Sequence, residues 1–266
     1  MIELLLSDVD GTLVTPQKEL APRTVEAAHE LHEAGIHLAL TSGRPPRGRE
    51  MLVEPLALRA PLAGFNGGLV VEPQMDVIEE RTIPPELVPR AIEILESARL
   101  SVWVYHGADW FVRDPDGPHV ARETHTVQFA PTVVDTFEGI EDGVAKIVGV
   151  SDDYDAVATG ETAAHAELAE HVSASRSQPY YLDITHPRAN KGDVVKFLAR
   201  RYAIPEERIA TIGDMPNDVL MFARSGLSIA MGNAHREVQR AARYITTAND
   251  ADGFANAVRR FILGRS

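Results

Sequence analysis

Ile2-Glu3-Leu4-Leu5-Leu6-Ser7 runs straight into Asp8-Val9-Asp10-Gly11-Thr12, and the reading of this stretch decides the fold. The run has strand length and is too apolar for an exposed element, so it reads as a buried strand of a parallel sheet. Gly11 breaks the pattern and places Asp8 and Asp10 just past the strand's carboxyl end. Residues two apart in extended chain point the same way, so both carboxylates address one small volume. Like charges that close are costly unless a cation, a proton or hydrogen-bond donors share the space.

Outward from this strand the chain alternates. Residues 21–34 place Val25, Ala28 and Leu31 between glutamates and stop at Gly35, the pattern of an amphipathic helix. Residues 36–40 follow as a second buried strand ending in Thr41-Ser42-Gly43-Arg44, and a helix of about three turns is expected to run toward Pro55. Residues 61–65 read as a third strand, and Leu69-Val70-Val71 with Val77-Ile78 as a hairpin. Strand, helix, strand, helix, strand implies an α/β fold, a parallel sheet covered by helices.

From Pro84 to Pro187 the character changes. Both tryptophans and four of the six tyrosines fall here. Helices are expected at 86–98 and 154–171, and strands at 101–106, 110–112, 144–150 and 180–185. This middle third reads as a separate α+β domain, residues 84–187, inserted into a core of residues 1–83 and 188–266. The first pattern then resumes. Lys191-Gly192-Asp193 opens a helix that buries Val194, Val195, Leu198 and Tyr202. Residues 209–212 form a short strand running into Gly213-Asp214-Met215-Pro216-Asn217-Asp218, with further strands at 227–231 and 244–246. A closing helix carries Phe254, Val258, Phe261 and Ile262.

Composition narrows the partners. The 266 residues are enough for one large domain or two moderate ones. A net charge of −13 argues against nucleic acid and anionic membrane, whose phosphates would repel it. A phosphorylated substrate stays open, because a local cation can invert the field at one site. With no cysteine, disulfides, thiolate catalysis and cysteine-ligated zinc are excluded. Met1-Ile2-Glu3 carries no signal-like region and no run could span a bilayer, so a cytoplasmic protein is expected.

Ligands of open parallel sheets bind beyond the strands' carboxyl ends. Three such loops here carry Asp8 and Asp10, Thr41 and Ser42, and Asp214 and Asp218, while Lys191 starts a helix nearby. If they converge, the site holds several hard oxygen ligands, which suit magnesium, beside a hydroxyl and an ammonium, which suit a phosphoryl group. Each has a plainer reading: Thr41 and Ser42 suit helix capping, and Asp214 and Asp218 suit acids of a helix's first turn.

Asp8-x-Asp10-Gly-Thr, Ser42-Gly-Arg, Lys191 and Gly213-Asp214-x-x-Asn217-Asp218 resemble the four motifs of the haloacid dehalogenase superfamily. The insert between the second and third resembles the cap of its Cof-like branch, with a type IIB cap, and the resemblance covers the whole chain. It implies a Rossmann-like parallel sheet core with helices on both faces, plus the inserted α+β cap. It further implies a Mg2+-dependent phosphatase of small phosphorylated metabolites, acting through an aspartyl-phosphate. Asp8 would be the nucleophile, and Asp10 the general acid and then the general base. Members that cleave carbon–halogen bonds lack an aspartate at the second position, so Asp10 favours phosphate esters. The magnesium ion would be held by Asp8, the backbone carbonyl of Asp10, and Asp214, with Asp218 bound directly or through water. Ser42, or Thr41 if the register differs by one, would bind a phosphate oxygen. Gly43, Arg44 and Asn217 would stand at the substrate, and Lys191 would pair with phosphate and Asp8.

Two rivals follow from the same residues. Phosphomannomutases share the motifs and the cap position, but a mutase needs several cationic cap residues and few candidates are present. A non-catalytic phosphometabolite-binding protein would tolerate loss of Asp10 or Lys191, and both are present.

Overall fold

The computed structural model describes residues 1–265. In chain order it begins with β1 (Leu4–Asp8), α1 (Pro22–Glu33), β2 (His37–Thr41), β3 (Leu62–Gly64), β4 (Leu69–Val71) and β5 (Val77–Glu80). The inserted part holds α2 (Val88–Ser97), β6 (Ser101–His106), β7 (Asp109–Val112), α3 (Val120–Val127) and β8 (Thr132–Val133), then β9 (Val144–Val150), α4 (Tyr154–Leu168), β10 (Ser173–Gln178) and β11 (Tyr181–Thr185). The chain closes with α5 (Lys191–Tyr202), β12 (Ile209–Gly213), α6 (Val219–Phe222), β13 (Leu227–Ala230), α7 (Arg236–Ala241), β14 (Tyr244–Ile245) and α8 (Gly253–Ala257).

Two sheets result. The first has the order β14-β13-β12-β1-β2-β3-β4-β5, and β1 lies near its middle with parallel partners on both sides. Its β4 and β5 form the expected hairpin, and β3 also pairs antiparallel with β4. The second sheet, β10-β11-β9-β6-β7-β8, is antiparallel except for the β7–β8 pair. This is an α/β fold with helices on both faces of the parallel sheet. On one face Leu5, Leu38, Ala210 and Ile212 pack with Ala27, Ala28 and Leu31 of α1 and Phe254 and Ala257 of α8. On the other, Leu4, Leu6 and Ile209 pack with Val194, Val195 and Leu198 of α5 and Met221 and Phe222 of α6. The period-2 alternation of β1 is what divides its leucines between the two layers. Among the described residues, no helix is long and apolar enough to cross a membrane.

The segment after Arg44 departs from the three-turn helix expected there. It is a 3-10 helix, Pro46–Leu52. Pro45 and Pro46 lack amide donors, and Gly48 lies so close to the carbonyl of Val127 that a Cβ would come within 2.8 Å of it. Strands β8 and β10 carry no apolar alternation strong enough to announce them, and α3, also not expected, buries only Val120 and Val127. β10 reads Ser-Ala-Ser-Arg-Ser-Gln, and only Ala174 of it is buried.

Candidate active site

Strand register brings the predicted loops together. In the β1–β2 ladder Asp8 sits opposite Thr41, and in the β1–β12 ladder Ser7 sits opposite Ile212, one residue before Gly213. The carboxyl ends of three adjacent parallel strands therefore open onto one place. Gly11, at φ +81°, turns the chain out of β1. A Cβ there would lie 2.8 Å from Asp214 Cγ, so the glycine lets the two loops touch. Gly213 does the same for Asp218, whose Cβ would be 2.6 Å from an added methyl.

Asp8, Asp214 and Asp218 each offer a carboxylate oxygen within 4.8 Å of the others, and all three are buried. Lys191, only 1% exposed, sits between two of them, with its Nζ 2.6 Å from Asp8 Oδ1 and 2.6 Å from Asp218 Oδ1. Asn190 caps α5 by accepting from the Asp193 amide, so the helix start that presents Lys191 is fixed by a conventional cap. Asp218 Oδ2 accepts from the amides of Asp214 and Met215. Asp214 Oδ1 accepts from the Thr12 hydroxyl, and its Oδ2 from Asn233 Nδ2.

Charge is in excess of partners. Burial pushes the Asp8 carboxyl up to about 7; Lys191 opposes this, and Asp218 and Asp214 add to it. Burial followed by the Asp218 charge raises Asp214 to about 6. For Lys191, burial works against the charge, but Asp218 and Asp8 outweigh it, so the ammonium is held above its ordinary range. Asp8 Oδ2 is buried with no hydrogen-bond partner. A buried carboxylate oxygen left free beside two other acids is the environment a hard divalent cation relieves, and the all-oxygen donor set fits magnesium.

Asp10 stands apart from this trio. Its Oδ1 meets Lys18 Nζ at 2.9 Å and Arg44 Nη2 at 2.8 Å, and its Oδ2 meets Arg49 Nη2 at 2.6 Å. Burial would raise its pKa, but Arg49, Arg44 and Lys18 together hold it below the usual carboxylate value. The Asp10 side chain is therefore no part of the acid cluster. A metal role for Asp10 is left to its main chain.

The remaining predicted residues divide. Ser42 is buried and accepts from the Arg44 amide and from Arg49 Nη2 at 3.3 Å. The Thr41 hydroxyl is buried and unpartnered. Arg44 also donates to the Thr126 carbonyl across the cleft. Gly43, Lys191 and Asn217 line a cavity of about 430 Å³ between the two sheets. Of the middle-third aromatics, Trp103, Tyr105 and Trp110 are buried against one another, and Tyr105 joins Tyr180 and Tyr181 in lining a second, smaller part of the cleft.

Arg49 and Asn233 join the site unannounced by the sequence, whereas Thr12 stands in the Asp8-x-Asp10-Gly-Thr motif and Asn66, like Arg44, is a weaker candidate for a substrate or hinge contact. Arg49 is buried, and burial lowers its pKa to about 10 against the attraction of Asp10. Its only sequence signal was a third arginine in Arg44-Pro45-Pro46-Arg47-Gly48-Arg49. Asn66 adopts φ +57° directly after Phe65 at φ +51°, and this left-handed pair aims its Oδ1 at Asn217 Nδ2, 3.0 Å away.

A parallel core with buried acids beyond two adjacent strand ends, roofed by an inserted sheet, defines the class. Residues 5–258 match the haloacid dehalogenase-like hydrolase family, and the chain belongs to it. It is 28% identical over 256 residues, covering 96% of each chain, to a putative phosphatase of Haemophilus influenzae. It is 26% identical to the 5-amino-6-(5-phospho-D-ribitylamino)uracil phosphatase YitU of Bacillus subtilis, over 97% of each chain. The crystal structure of a haloacid dehalogenase-like hydrolase from Bacteroides thetaiotaomicron superimposes with a TM-score of 0.91 at 31% identity, covering 98% of this chain and 100% of that one. The chain is thus a phosphatase of the Cof-like type, acting on phosphorylated substrates.

Proposed function

We propose that the protein hydrolyses monoesters of small phosphorylated metabolites with Mg2+, through a phosphoryl group carried on Asp8. The observation that carries this is the buried, unpartnered Oδ2 of Asp8 beside Lys191 and two further acids. In this reading residues 1–83 and 188–266 are the core and 84–187 the cap, supported by the separation of the two sheets along the chain. Asp8, Asp214, Asp218 and the main-chain carbonyl of Asp10 would hold the ion. Bound there, it neutralises charge between a carboxylate nucleophile and a phosphate dianion.

The chain's own groups divide the work. Asp8 Oδ2 attacks phosphorus, a new O–P bond forms, and the bond from phosphorus to the leaving oxygen breaks. Asp10 gives its proton to that oxygen, then takes one from the water that attacks the aspartyl-phosphate, returning Asp8 and free phosphate. The three cations around Asp10 favour the ionised form that the second step requires. For the first step Asp10 must gain a proton, and the Arg44 and Lys18 contacts must loosen. Ser42, with Thr41 beside it, donates to phosphate oxygens, while Gly43, Arg44 and Asn217 border the path to the leaving group. Lys191 keeps its ammonium and stabilises charge on the transferring group. The substrate named for the Bacillus subtilis relative, a phosphorylated ribitylaminouracil, is of the small-metabolite kind.

The test is phosphate release from a panel of small phosphate esters by the purified protein. Turnover is expected with Mg2+, and loss of turnover on chelation and in Asp8→Asn. Chelator-resistant turnover, or an active Asp8→Asn, overturns the reading.

A further inference from the structure

The turn that follows β3 is wound against the preference of its residues. Phe65 (φ +51°), Asn66 (φ +57°) and Gly67 (φ +104°) are left-handed in succession, and two of the three carry a side chain. Glycine takes that backbone freely and asparagine with little penalty, but a phenylalanine there is strained. Such strain persists only where the surroundings over-determine it. Here they do. The Phe65 ring is 1% exposed and meets Tyr105 of β6 edge-on at 5.3 Å. The Phe65 amide donates to the Arg44 carbonyl at 3.1 Å, and the Asn66 amide to the Ser42 carbonyl at 2.8 Å. A Cβ on Gly67 would come 2.6 Å from Val194 Cγ2, so the turn is pressed onto α5.

One more group closes the turn. Arg81 lies between β5 and the inserted part, and only 5% of it is exposed. Its Nη1 donates to the Gly67 carbonyl at 2.8 Å, and its amide to the Gly68 carbonyl at 2.7 Å. Burying this cation is unfavourable: burial lowers the Arg81 pKa against the attraction of Glu79 and Asp193. For stability alone, glycine at 66 and an apolar residue at 81 would serve better.

The strain secures the direction of the Asn66 side chain. Its Oδ1 accepts from Asn217 Nδ2 at 3.0 Å, and a Cβ on Gly43 would lie 3.6 Å from the same oxygen. Asn66 therefore touches the Ser42 loop through its amide and the Asp214–Asp218 loop through its side chain. These loops follow β2 and β12, on opposite sides of β1. One carries the hydroxyl that would bind phosphate, the other two acids that would hold the ion. We infer that Asn66 is a positioning residue for the hydrolysis: it braces the two loops at a fixed separation, and Arg81 keeps wound the turn that aims it. This rests on the phosphatase reading above. Phosphoryl transfer is sensitive to such spacing, because a misplacement of about 1 Å costs on the order of a hundredfold.

The experiment measures kcat and KM for para-nitrophenyl phosphate with Mg2+, beside thermal unfolding, in Asn66→Gly, Asn217→Ala and the double variant. Glycine keeps the left-handed turn and the amide bond to Ser42 while deleting the brace. Asn66→Gly should melt close to the wild type yet lose kcat by roughly tenfold or more, with KM nearly unchanged. Added to Asn217→Ala it should cost no more than about twofold, because the bond it removes is already gone. Arg81→Met should lower kcat severalfold in the wild type and have little effect in Asn66→Gly; the Asn66–Asn217 cycle decides even where Arg81→Met folds poorly. An Asn66→Gly kcat within about twofold of the wild type overturns the inference, as does a fully additive loss in the Asn217→Ala background. An effect confined to KM would make Asn66 a substrate contact, and a melting temperature far below the wild type would make the turn merely structural; either overturns it. A wild type that hydrolyses no ester overturns the phosphatase reading and this inference with it.

Discussion

Asp8→Asn should abolish turnover and, in the metal-free protein, raise stability. The folded Asp8 carboxyl has its pKa raised from 3.8 to about 7, so the native state binds that proton more tightly than the unfolded chain does. Stability linked to this group is therefore present below about pH 4 and lost as pH rises through the window up to about 7. At ~1.4 kcal/mol per unit the loss reaches ~4 kcal/mol above pH 7 and only ~2 kcal/mol near pH 5. An asparagine resembles the protonated acid and can still accept from Lys191, so it escapes the loss. For a chain of this size ~4 kcal/mol corresponds to a rise on the order of 10 °C in melting temperature. The assay is thermal unfolding by circular dichroism in excess chelator near pH 8 and near pH 5, beside phosphate release. The gain should be larger at the higher pH and should shrink when Mg2+ is added, because the ion relieves the same repulsion in the wild type. An Asp8→Asn protein that melts below the wild type at about pH 8 in chelator, or with a gain independent of pH, would refute the reasoning.

Three other perturbations address the same assembly. Lys191→Met strips the ammonium from Asp8 and Asp218, so it should cost ~3–5 kcal/mol in chelator, abolish turnover, and recover part of its melting temperature with Mg2+. Gly11→Ala puts a methyl against the Asp214 carboxylate at φ +81°, and titration calorimetry should show Mg2+ affinity reduced by about tenfold or more; unaltered affinity would remove Asp214 from the ligand set. Arg49→Met frees Asp10 Oδ2 and Ser42 from their shared guanidinium and should lower kcat by roughly tenfold to a hundredfold. Arg49→Lys should restore only part, since a single ammonium does not reproduce the fork.

The core was legible because its signals reinforce one another. Runs such as Leu4-Leu5-Leu6 can be satisfied only between two helical layers, and the observed faces of β1 divide in that way. Parallel order then forces convergence. Once β2 and β12 flank β1 in register, Asp8, Thr41 and Asp214 lie at neighbouring strand ends, and no further information is needed to assemble them. Arg49 was not legible for the opposite reason. Its position depends on a 3-10 turn shaped by Pro45, Pro46 and the close approach of Val127, and a contact between distant segments leaves no local period. The same holds for Asn233, which meets the site through loop conformation alone.

The cap shows where such reading stops and why. Strands β6, β9 and β11 carry apolar alternation because one of their faces is pressed against α2 and α4. β10 has only Ala174 buried and so looks like a loop in sequence. Yet Ser173 and Ser175 of that strand line the same cavity as Lys191. β10 is an edge strand with a single buried residue, so no apolar alternation marks it, whereas β9 and β11 border the same cavity and stay recognisable because their other face is buried. The acid cluster escaped this because carboxylates following an apolar strand are conspicuous, whereas serines on an edge strand are ordinary.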